Sequence, residues 1–108
     1  MNELIIYKNE LKNSKPARYK VIGIVSKLLL SKELFKKNEE IAEFLKTVFQ
    51  VEFKEYVMSS RTLIVARTVK LIETLEDNDY VVSKKLLYKY IDSKITSLEK
   101  PNMFDGWL

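Results

Sequence analysis

The chain has 108 residues, 46% apolar and 11% aromatic, with 19 basic and 15 acidic side chains and a net charge of +4. That is one domain's length with enough apolar mass for a core, which excludes a disordered chain. It contains no cysteine or histidine, which excludes disulfides, thiolate chemistry, Ser-His-Asp and Cys-His catalysis, and the commonest metal ligand.

Two glycines and two prolines are too few for the turns of a sandwich or barrel. A few long helices with short connections are expected instead. Uninterrupted apolar runs reach only four residues, as from Leu63 to Ala66, too short for a signal core or a membrane span. A cytoplasmic location is expected.

The first helix is expected over roughly 3–13, with Asn2 as cap and Glu3 in the first turn. Leu4, Tyr7 and Leu11 fall on one face, although Leu4 to Tyr7 also reads as a short strand. The second spans roughly 15–31, with Ser14 as cap and Pro16 in the first turn. Val21, Ile22, Val25, Leu28 and Leu29 form its stripe, widened by Ile24 and Leu30. Gly23 inside it suggests a close helix crossing.

The third helix starts at Asn38, read as its cap, with Glu39 and Glu40 beside the positive end of the helix dipole. Ile41, Phe44, Leu45, Val48 and Phe49 match the helical template without a gap. Beyond it, Phe53, Tyr56 and Val57 continue the helix, or Phe49, Val51 and Phe53 alternate as a strand. The fourth helix runs roughly 60–76, capped by Ser59 or Ser60 and apolar nearly all round, which implies full burial. Arg67 and Lys70 occupy its one exposed strip, or else face an acidic partner or a phosphate. After a polar turn at Glu76 to Asp79, the fifth runs roughly 80–99. Val82, Leu86, Leu87, Tyr90, Ile91, Ile95 and Leu98 hold its period, and Lys84, Lys85, Lys89 and Lys94 take the other face. Pro101 ends it.

The expected fold is therefore a single all-α bundle of four to five helices over 1–100 with a C-terminal tail at 101–108. The segments 39–49 and 60–76 also read as a helix-turn-helix-like pair, although the connection is longer than that motif wants.

Charge is uneven. Residues 1–36 carry eight basic and three acidic side chains, net +5; residues 37–80 carry six and nine, net −3; residues 81–108 carry five and three, net +2. A positive surface formed by the first third is the main functional signal. Lys12, Lys15, Arg18, Lys20 and Lys27 are candidate phosphate contacts, with Tyr7 and Tyr19 interleaved. The same lysines also read as ordinary solvated helix faces. Ser60, Arg61 and Thr62 open the fourth helix, where Arg61 can read guanine and its neighbours phosphate; they equally read as a cap and a surface arginine.

The carboxylates at Glu39, Glu40 and Glu43 and from Glu73 to Asp79 match no metal or hydrolase spacing. No catalytic residue, metal ligand or cofactor is assigned. The leading expectation is a small non-enzymatic nucleic-acid-binding or regulatory protein. The alternative is a protein-interaction module: an inhibitor, an adaptor, or a bundle that resembles bacteriocin-immunity proteins in architecture alone. Met103, Phe104 and Trp107 in the tail would be its partner contacts. Twelve aromatic residues also make a homodimer an expected assembly.

Overall fold

The computed structural model describes residues 2–13 and 17–99, which form six α-helices and no strand: α1 (Asn2–Asn13), α2 (Arg18–Leu30), α3 (Asn38–Phe49), α4 (Glu55–Met58), α5 (Arg61–Thr74) and α6 (Asp77–Glu99). The expected all-α bundle is the observed one. Among the described residues no helix is long and apolar enough to cross a membrane.

The helices pack chiefly in antiparallel pairs. On α1 and α6, Lys8 pairs with Asp92 at 2.8 Å, while Leu11 and Lys12 lie beside Lys84 to Lys89. On α3 and α6, the Phe44 ring meets Tyr90 edge-on at 4.8 Å. Phe44 also touches Phe35 at 5.6 Å and Phe49 at 6.2 Å. Such tilted contacts suit the ring quadrupole and put this fully buried residue at the hub of the core.

An arginine fixes each end of the α2–α5 pair. Arg18, the first residue of α2, donates from Nη1 to the Ile72 carbonyl near the end of α5 (2.8 Å) and from Nη2 to Asp77 (2.9 Å). Arg61, the first residue of α5, donates from Nη1 to the Leu29 carbonyl near the end of α2 (2.7 Å). It also donates from Nη2 to the Phe35 carbonyl (2.9 Å) and from Nε to Asn38 Oδ1 (2.8 Å). A cation beside its own helix N-terminus is unfavourable, but here each guanidinium reaches the carbonyl-rich end of the opposing helix, where positive charge is favoured.

Several boundaries and faces differ from expectation. Asn38 is the first helical residue of α3, not its cap. The extended Lys37 precedes it, and its N–H donates to the Glu40 carboxylate at 2.9 Å. The Asn38 side chain is used across the fold, donating to the Met58 carbonyl at 2.9 Å. Residues 51–54 are neither helix nor strand, because α3 stops at Gln50, which takes the left-handed conformation (φ 55). Ser60 is the cap of α5, its hydroxyl accepting from the Leu63 N–H at 3.3 Å.

Full burial of α5 is overturned. Only Ile64, Thr68 and Ile72, at i, i+4 and i+8, are buried, since α5 rests mainly on α2 and the short α4. Arg67 and Lys70 are exposed on its outer strip, and Arg67 donates to the Tyr56 hydroxyl at 3.1 Å. The buried Thr68 hydroxyl donates to the Ile64 carbonyl at 2.7 Å, which satisfies it inside an apolar ridge. Gly23 marks no close crossing: a Cβ built there meets nothing within 4 Å. Leu30 is exposed where α2 ends. Of the polar turn expected at Glu76 to Asp79, the residues from Asp77 on are the acidic first turn of α6, stabilised by its dipole. The inward stripe of α6 runs through Ser83, Leu87, Ile91 and Ile95, leaving Val82 half exposed. Ser14, Pro16, Pro101 and the Leu98 side chain lie outside what is described, and α2 begins at Arg18 after an Ala17 with no side-chain cap bond.

Candidate functional site

Helical spacing places Lys84, Lys85, Tyr88 and Lys89 on one flank of α6. The antiparallel packing of α1 brings Leu11 and Lys12 against that flank. Together these six residues line an open groove of about 430 Å³. Leu11 is buried beneath it, Tyr88 is half-buried, and Lys12, Lys85 and Lys89 are exposed. The lysine stems and the two apolar residues form the walls, and the ammonium groups form the rim. Lys12 also sits in the last turn of α1, where a cation complements the helix dipole.

Among the described residues, the ion pairs are Lys8–Asp92, Arg18–Asp77 and Lys46–Glu52, and none neutralises Lys12, Lys84, Lys85 or Lys89. Lys84 lies 5.9 Å from the Tyr80 ring centroid, and the Arg18 guanidinium covers the same ring at 4.5 Å. Arg18 is thus joined to the groove's edge through a shared aromatic ring. Burial pushes the Tyr80 hydroxyl above its ordinary value, with the Arg18 charge acting the other way.

The residues nominated from the sequence are dispersed. Lys12 lines the groove and Arg18 adjoins it. Lys20 and Lys27 are exposed on α2. Lys27 lines a hollow with Glu3, Tyr7 and Glu33 at that helix's other end. Arg61 also acts at that end, roughly 16 Å along α2 from Arg18 at 1.5 Å per residue. Its three hydrogen bonds hold it against backbone and Asn38, and Ser60 is engaged as a cap. Thr62 is the exposed member of that trio. The helices of the candidate helix-turn-helix are separated by the segment 50–60, with α3 lying mainly on α6 and α5 on α2. Lys15, Met103, Phe104 and Trp107 lie outside the described residues.

From spacing alone Lys84, Lys85 and Lys89 form one polar face of α6 with no assigned role. Their spacing on α6 was visible, but their meeting with Lys12 was not, because it depends on how α1 and α6 pair.

A second hollow gathers Glu40, Glu43, Tyr90 and Lys94 with Phe44 and Thr47. Tyr90 is pushed up to about 12, chiefly by burial, with the Glu43 and Glu40 charges adding. Glu40 is held below the usual carboxylate range, first by the Lys37 backbone N–H. Both shifts have structural causes: Tyr90 packs on Phe44, and Glu40 closes the start of α3. Among the described residues no cluster of three or more acids gathers to hold a metal.

No protein-family model matches this chain, and no similar curated protein or solved structure was found. A functional reading therefore rests on the groove's own chemistry.

Proposed function

We propose that this chain is a small non-enzymatic binding protein whose lysine-rimmed groove holds single-stranded nucleic acid in the cytoplasm. The observation that carries the reading is the convergence of Lys12 with Lys84, Lys85 and Lys89 over a floor containing Leu11 and Tyr88. Ammonium groups at the rim contact backbone phosphates, and the displaced counterions supply much of the affinity. Tyr88 gives a base a ring surface to stack on, a contact that contributes about 1–3 kcal/mol in sites of this kind.

Lysine acts on phosphate as a point charge and lacks the planar fork that reads guanine. The reading is therefore of binding with little base preference. It favours a single strand over a duplex because a splayed base enters a recess that a helical backbone only covers. It also fits the use of Arg61, the one nominated base reader, in tying α5 to α2.

Fluorescence anisotropy of labelled oligothymidylate and oligouridylate across a salt series tests the proposal. Four phosphate contacts predict a slope of log K against log salt of about −3. The double variant Lys85→Glu, Lys89→Glu abolishes binding while retaining helicity, and Lys27→Glu, at the other end of α2, leaves binding intact. Absence of salt-sensitive binding at micromolar protein, or tighter binding of duplex, overturns it.

A further inference from the structure

The segment after α3 builds a second groove with the opposite charge. Gln50 ends α3, and the Val51 N–H turns back to the Leu45 carbonyl at 3.5 Å. Residues 51–54 then run along α3, and α4 closes the far side by burying Val57. Two adjoining hollows of about 350 and 700 Å³ open between α3 and this segment, and they share Ala42, Phe53 and Met58. The floor is open because Ala42, an exposed α3 residue, reaches no farther than its Cβ. Phe53 and Met58 are only half-buried. The rim carries Glu39, Glu43, Glu52 and Glu55 against Lys37 and Lys46, and Lys46 is already paired with Glu52 at 3.4 Å. An apolar trough with a net negative rim thus stands on a chain whose total charge is +4.

The geometry points to a docking groove for a basic amphipathic helix of a partner protein. Such a helix places apolar side chains at i, i+3, i+4 and i+7 onto Ala42, Phe53 and Met58, with lysines or arginines flanking them against the four glutamates. Helix-in-groove recognition uses this division of labour, with apolar anchors for affinity and opposed charge for orientation and encounter rate. The unbranched Met58 adapts to the side chain that enters. The same rim repels phosphate, so this surface is separate in chemistry from the lysine groove and does not depend on the nucleic-acid reading.

The test uses two labelled synthetic peptides with the same helical pattern of leucines, one with lysines and one with glutamates at the polar positions. Binding is read by anisotropy and by amide chemical-shift changes on the full chain. The leucine–lysine peptide is expected to bind at micromolar concentration and to shift Ala42, Phe53 and Met58. The leucine–glutamate peptide should leave these residues unmoved. Ala42→Arg, at an exposed helical position, fills the trough and should weaken binding by about tenfold or more, as loss of a central contact does. Glu39→Lys with Glu55→Lys reverses half the rim without touching the core and should weaken binding in the same direction; helicity is checked in parallel by circular dichroism.

Equal binding of both peptides, shifts confined to other surfaces, or indifference to both sets of substitutions overturns the inference. So does a dimer, seen by sedimentation of the chain alone and abolished by Ala42→Arg, since the groove's occupant would then be a second copy.

Discussion

The α2–α5 and α3–α6 pairs hold together by different means. The first is pinned at its ends, where Arg18 and Arg61 each leave one helix and hydrogen-bond backbone carbonyls near the close of the other. The second is centred on a cluster of rings, with Phe44 against Tyr90 and Phe35 and Phe49 around it. Hydrogen bonds to carbonyls fix register and length at the ends, and between them both helices bury aliphatic side chains, among them Val21 and Val25 of α2 and Ile64 of α5. Interlocked rings fix the middle and resist any change of volume. The contrast also explains why positive charge in this chain has two uses. An arginine whose donors are taken up by carbonyls is part of the frame, whereas rim lysines that form no ion pair among the described residues remain available for a ligand.

The sharpest way to break the contrast is to remove a pin. Arg61→Ala deletes three charge-assisted hydrogen bonds and leaves the Leu29 and Phe35 carbonyls without them. We expect a loss of about 2–3 kcal/mol in urea unfolding. Arg18→Ala should cost about 1 kcal/mol, because one of its two hydrogen-bond partners, Asp77, is fully exposed and contributes little. Equal losses at the two ends would show that the hydrogen bonds are not what distinguishes them.

High pH probes the α3–α6 pair. Tyr90 holds its proton up to about 12 in the fold, against an ordinary value of 10.0. The folded state therefore keeps a proton that the unfolded state loses first. Stability from this source is complete below pH 10 and is lost as pH rises toward 12. Tyr90→Phe, which cannot ionise, should lose less stability over that window when melting is followed by circular dichroism.

The smallest effect returns to the middle of α2. Gly23→Ala meets open space and should stabilise the helix by about 0.5–1 kcal/mol in thermal denaturation. A destabilisation would mean that the pair is as tightly filled there as α3–α6.

Most of the helical architecture was legible because it follows from local pattern. The stripe of Ile41, Phe44, Leu45, Val48 and Phe49 points inward on α3 as its spacing required. The misread faces were those where pattern alone has no reference. Leu63, Val65, Val69 and Leu71 make α5 apolar all round, yet coverage depends on how many neighbours it has, and α5 lies mainly between α2 and the four-residue α4. Asn38 has the chemistry of a cap, but Glu40 serves the start of α3 and frees Asn38 to hold Arg61 and Met58. The candidate site was half visible: the lysines of α6 and Lys12 could be seen separately, and Arg61 had the look of a reader.

What the sequence determined by itself is an all-helical chain, without cysteine or histidine chemistry, whose charge alternates in sign along its length. Those properties are set by residue type and by spacing within one turn or two. Which positive groups serve the frame and which line a groove was decided only by tertiary structure. That outcome depends on carbonyls and helix flanks tens of residues away, and only the pairing of α2 with α5 and of α1 with α6 brings them within reach.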